Sequence, residues 1–72
     1  MNKKKSVIAY RRNTIYLNGK YDYIILIGGR AEYFPATSEF FLSDYTNNPD
    51  LEVTIQDLSK EDFDFYRDYY DI

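Results

Sequence analysis

Two tight-turn signals, spaced along the first half of the chain, constrain the fold more than any other feature. Asn18-Gly19 and Gly28-Gly29 are pairs that accept positive φ at both central positions of a two-residue hairpin turn. Between them, Lys20 to Ile27 is rich in aromatic and β-branched residues, as a strand is. Thr14 to Leu17 precedes it, and Arg30 to Phe34 follows and is stopped by Pro35. Ser6 to Arg11 is either a separate strand or an extension of the first. The arrangement expected is an antiparallel meander.

Alternation gives that sheet two unlike faces. Two-residue turns would set Tyr16 across from Tyr21 and Thr14 across from Tyr23, on a face continued by Ile25, Ile27, Arg30 and Glu32. Ile15, Leu17, Ile24, Leu26, Ala31 and Tyr33 line the other face. The second is the more aliphatic and is the expected core. The first is expected to be exposed. A slip of one residue would exchange the two.

Beyond Pro35 the pattern weakens. Residues 38–45 fit a short helix or a further strand, and Asn47-Asn48-Pro49-Asp50 is a loop. Leu51 to Gln56 alternates like a half-buried strand. The final segment predicts a helix capped by Ser59, with Leu58 and Phe63 at the spacing of a hydrophobic staple. At about 100° per residue, Phe63, Phe65, Tyr66, Tyr69 and Tyr70 share one broad arc, and Glu61, Asp64, Asp68 and Asp71 an opposite stripe. The fold class expected is therefore α+β: a meander of four to five short strands packed on a C-terminal amphipathic helix. Residues 1–72 form one small domain, with 1–5 a disordered basic tail.

Composition narrows the chemistry. Cys and His are both absent, which removes disulfides, thiolate metal sites and the commonest general base. A Ser-Lys pair exists at Lys5-Ser6 and at Ser59-Lys60, but a frayed terminus and a helix cap account for them. Asp44, Thr46, Asn48 and Asp50 alternate like the start of a calcium loop, yet lack its central Gly and closing Glu. The expectation is a chain that is not an enzyme and needs no metal or other cofactor. Nine Tyr and five Phe supply the burial that a domain of this size otherwise obtains from cross-links or partners.

Charge is divided along the chain. The net charge is -3. Lys3, Lys4, Lys5, Arg11, Arg12, Lys20 and Arg30 face only Asp22 in the first 30 residues, whereas the remaining acids meet only Lys60 and Arg67. Such asymmetry marks a candidate electrostatic binding face. The first candidate is the helix stripe Glu61, Asp64, Asp68 and Asp71 with Tyr66, Tyr69 and Tyr70: fixed carboxylates flanked by aromatics suit a protein groove lined with Lys and Arg that otherwise holds nucleic acid. The alternative is a single-strand nucleic-acid interface of Arg11, Arg12, Tyr16, Lys20, Tyr21 and Tyr23, combining cations with stacking rings; the net negative charge counts against it. A third is a structural or assembly subunit, and the complementary halves are compatible with a homodimer.

The opening Met1-Asn2-Lys3-Lys4-Lys5 has no long apolar run after it, so the expectation is a cytoplasmic protein with no membrane partner. Abundant Asn, Ile, Lys and Tyr suggest a low-GC bacterium or its phage. In size, acidity and lack of catalytic groups the chain resembles small phage-encoded counter-defence proteins such as anti-CRISPRs and DNA mimics, which share no common motif. The function expected is that of a non-catalytic inhibitor or adaptor that blocks a nucleic-acid-handling host protein through the acidic, Tyr-rich surface.

Overall fold

The structure is a computed structural model that describes residues 4–72. Its elements are β1 (Lys5–Arg12), β2 (Tyr23–Ile27), β3 (Arg30–Phe34), α1 (Ser43–Thr46), β4 (Leu51–Leu58) and α2 (Lys60–Tyr70). The four strands form one sheet in the order β3-β2-β1-β4. The β1-β2 and β2-β3 pairs are antiparallel, but β4 runs parallel to β1. The fold is α+β as expected, with a mixed sheet in place of a pure meander. The reason lies in the connection: residues 35–50 cross one face of the sheet and return the chain to the end where β1 starts, so Leu51 enters opposite Lys5 and β4 runs parallel to β1.

The two turn signals meet different fates. Gly28 and Gly29 both adopt positive φ (59° and 77°), and Ile27 pairs directly with Arg30, as a two-residue hairpin requires. At the first turn only Gly19 is left-handed; its N–H donates to the Tyr16 carbonyl at 2.9 Å. The Asn18 side chain instead donates to the Ala36 carbonyl (3.1 Å) and accepts from the Lys20 N–H (3.0 Å). Residues 13–22 are consequently a long loop, and Thr14–Leu17 is not a strand. The first strand is the Ser6–Arg11 segment with one residue added at each end, paired so that Arg11 sits across from Tyr23. Tyr16 therefore faces Lys20 across the turn, and not Tyr21. The expected basic tail, residues 1–5, falls mostly outside the described residues, and Lys5 already donates to the Asp50 carbonyl at 3.0 Å.

Both faces of the sheet are covered. On one, Tyr10, Ile24 and Leu58 pack against Phe63 of α2, joined by Ile8, Leu26, Ala31, Tyr33, Tyr66 and Ile72. On the other, Val7, Ala9 and Ile25 lie beneath Phe40, Leu42 and Tyr45 of the crossing segment, with Tyr23, Phe34 and Val53 alongside. The face expected to be exposed is thus a second core, and buried Ile25 belongs to it. Ile24, Leu26, Ala31 and Tyr33 do line the helix side, but Ile15 (59% exposed) and Leu17 are ejected to the loop tip. Within residues 38–45 no strand forms: the segment is irregular up to Leu42 and then enters α1, a single helical turn.

Helix α2 starts as its sequence demands. The Ser59 hydroxyl accepts from the Asp62 N–H at 3.2 Å, and Leu58 and Phe63 share one buried cluster. It ends at Asp71 in the left-handed region (φ 56°, ψ 52°), with the Ile72 N–H reaching back to the Arg67 carbonyl at 3.1 Å. Among the described residues no helix is long and apolar enough to cross a membrane.

Candidate partner-binding surface

The outer face of α2 is built by periodicity. Phe63 points into the core, and Tyr66 stacks on Tyr10 with ring centroids 4.6 Å apart. Tyr70 follows Tyr66 one turn on, at 6.5 Å. These three anchor the helix. The predicted aromatic arc is wider than the sheet can cover, so Phe65 and Tyr69 are left outside, 63% and 71% exposed. They stack on each other at 6.4 Å, one turn apart. Glu61 heads the same row, and Asp64 and Asp68 form the next row beside it. All three carboxylates and Asp71 are exposed.

Among the described residues, only Asp64 of these four has an ion-pair partner, Lys60 at 3.2 Å. That pair is exposed on both sides and contributes little to stability. Asp71 stands apart, because it lies beyond the last helical residue in a left-handed conformation. The helix thus presents a stacked Phe65–Tyr69 pair against a carboxylate row. Of the three tyrosines predicted to bind a partner, Tyr69 alone is largely exposed, while Tyr66 and Tyr70 are half-buried.

The alternative set is dispersed. Strand alternation places Arg11 and Arg12 on opposite sheet faces. Arg11 grips Asp57 with two bonds, 2.6 and 3.1 Å, and lies 4.6 Å from the Tyr21 ring. The Arg11 partner holds the Asp57 carboxyl below the usual aspartate range. Lys20 donates to the Ser38 carbonyl and caps the Phe41 ring at 4.6 Å. Tyr23 packs on Phe40 at 5.5 Å. Residues Lys20, Tyr21, Tyr23, Phe40 and Phe41 line a shallow groove of about 210 Å³, but its cation, Lys20, and the nearby Arg11 are both already engaged by neighbours.

Arg12 and Tyr16 belong to a different cluster, built by contacts distant in sequence and without a local signal. Asp22 is 5% exposed. One of its oxygens accepts from the Ala36 N–H at 2.8 Å; the other accepts from the Tyr16 hydroxyl at 2.6 Å and faces Arg12 Nη1 at 3.4 Å. Arg12 Nη1 also donates to the Tyr16 hydroxyl at 2.7 Å. These groups line a cleft of about 290 Å³ with Asn18, Tyr33 and Pro35. The hydrogen bond to Asp22 pushes the Tyr16 phenol up, and burial followed by the Asp22 charge does the same to Tyr33. Each Asp22 oxygen is occupied, so the cluster ties the residue 13–22 loop to the crossing segment.

Among the described residues, no group of three or more potential metal-ligating side chains converges. Comparison with protein-family models, with curated proteins and with solved structures finds no match.

Proposed function

We propose that the protein is a non-catalytic binding domain that engages a protein partner through the outer face of α2, acting as an inhibitor or adaptor. One observation carries this reading: Phe65 and Tyr69 are exposed on a well-capped helix whose neighbouring row is carboxylate. Large aromatics gain most when a partner covers them, and they dominate the energy of protein interfaces. The flanking Glu61, Asp64, Asp68 and Asp71 select a basic partner, and a groove that ordinarily holds a nucleic-acid backbone has the matching charge. In this reading the helix competes with nucleic acid for that groove, as a DNA mimic or counter-defence protein of a phage would inside a bacterial cell.

The test uses the full chain immobilised and exposed to a nuclease-treated bacterial lysate. Two variants are compared with it: Glu61→Lys/Asp64→Lys/Asp68→Lys/Asp71→Lys, and Phe65→Ala/Tyr69→Ala. The expected result is a captured nucleic-acid-binding protein that single-stranded or duplex DNA displaces. Losing one such aromatic anchor costs about 2 kcal/mol, or about 30-fold in affinity. Capture of the same proteins by all three chains, with folding verified by circular dichroism, would refute the reading.

A further inference from the structure

The two edges of the sheet are defended unequally. Strand β3 is five residues long, carries exposed Arg30 and Glu32, and is followed at once by Pro35. Short length, charge and proline are the usual protections of a free edge. Strand β4 also carries two exposed charges, Glu52 and Asp57, but it is eight residues long, unbroken in register, and contains no Lys, Gly or Pro. Among the described residues no strand pairs with its outer edge, where Ile55 is 45% exposed and Val53 half-buried.

The direction of its free backbone groups follows from two bonds. The Asp50 carbonyl accepts from the Lys5 N–H and the Leu58 carbonyl from the Asn13 N–H. Because backbone groups alternate along a strand, the even-numbered residues of β4 bond to β1. The N–H and C=O of Leu51, Val53, Ile55 and Asp57 therefore point away from the sheet.

We infer that β4 pairs antiparallel with β4 of a second copy about a two-fold axis at Thr54, joining two four-stranded sheets into one. In this register Val53 lies across from Ile55 of the second copy, and Leu51 across from Asp57, so every outward group from Leu51 to Asp57 is bonded. Thr54 meets Thr54, and Glu52 meets Gln56. No two acids are directly opposed, even though each chain carries a charge of -3. The apolar Val53-Ile55 pairs form one cluster on the face away from α2. Centring the axis on Ile55 instead leaves fewer outward groups paired and sets Val53 against Asp57. The self-complementarity of the strand is what selects a second copy over a foreign strand, and it does not depend on the reading of α2.

Sedimentation equilibrium of the full chain is expected to show twice the chain mass at high concentration. Ile55→Pro removes an outward N–H without touching the β1 ladder, and Ile55→Lys adds charge to the edge; both are expected to be folded monomers. The chain has no native cysteine, so single-cysteine variants report the register. Thr54→Cys places two cysteines at a non-hydrogen-bonded pair, with Cα atoms about 4.5 Å apart and within disulfide range. Gln56→Cys leaves them about 13 Å apart. Mild oxidation should cross-link the first and not the second. The proposal is overturned by a monomer up to millimolar concentration, by dimers that survive both Ile55 substitutions, by no cross-link at Thr54→Cys, or by equal cross-linking at Gln56→Cys.

Discussion

Replacing Asp22 is the perturbation with the largest consequence for its size. The Asp22→Ala change leaves the Ala36 N–H, on a residue 3% exposed, without its acceptor. An unsatisfied buried amide costs about 1–3 kcal/mol. It also strands Arg12, whose Nε is already buried without a partner. Breaking a buried pair costs about 3–5 kcal/mol, but the Arg12 side chain is 21% exposed and can turn partly to water. Together a loss of about 3 kcal/mol is expected, against a total of about 4–11 kcal/mol for a chain of this length. With a urea slope near 1 kcal/mol/M, the midpoint should fall by about 3 M. Asp22→Asn retains an acceptor for Ala36 and should cost only about 1–2 kcal/mol. Hydrogen exchange adds a local readout: the Ala36 amide, protected in the parent, should exchange at loop rates in Asp22→Ala only. A loss under about 1 kcal/mol, or equal losses in the two variants, would refute the claim that this carboxylate pins the crossing segment.

Other expectations follow from the same structure. Phe63→Ala removes the ring that joins α2 to the sheet, 1% exposed and 6.2 Å from Tyr33, and should cost about 3–5 kcal/mol in thermal unfolding followed by circular dichroism. Asp71→Gly relieves a left-handed aspartate at a helix C-terminus and should stabilise by about 0.5–1 kcal/mol in urea titration. The phenols of Tyr10, Tyr16 and Tyr33 are all raised, Tyr10 by burial and then by Tyr66 and Tyr70. Their contribution is therefore complete below the ordinary tyrosine value and lost as pH rises through the raised values, so absorbance at alkaline pH should show late phenols ionising together with unfolding. Asp57 has the opposite sign: its lowered carboxyl favours the folded state above the ordinary aspartate value and ceases to do so as pH falls through the lowered one. Its NMR titration should have a midpoint below the ordinary aspartate value, and Arg11→Ala should restore that value.

Local signals in the sequence reached as far as local physics reaches. The Gly28-Gly29 turn and its flanking register follow from the φ freedom of two residues. The start of α2 follows from a hydroxyl three residues before an N–H and from apolar groups at staple spacing. The carboxylate row of Asp64 and Asp68 beside Glu61 follows from 3.6-residue periodicity, whereas Asp71 leaves the row because the helix stops at Tyr70. The most exposed aromatics, Phe65 and Tyr69, share one arc with Tyr66 and Tyr70, and periodicity does not separate them because it gives direction and not how far a neighbour reaches.

Tertiary contacts decided the rest. Asn18 does not take positive φ and its side chain bonds the Ala36 carbonyl, a partner 18 residues away; with residues 13–22 a loop, Ile15 and Leu17 lie outside the expected core. Asp22, a lone acid in a basic half, reads as surface until Ala36, Tyr16 and Arg12 surround it. The second core exists only because residues 35–46 cross the sheet, and the same crossing sets β4 parallel to β1 at the edge of the sheet. Strand direction and edge position depend on the path of the chain between elements. No residue pattern within a strand encodes that path: the Gly28-Gly29 turn, the start of α2 and its carboxylate row are local, whereas which faces and edges stay open to a partner is set by tertiary packing.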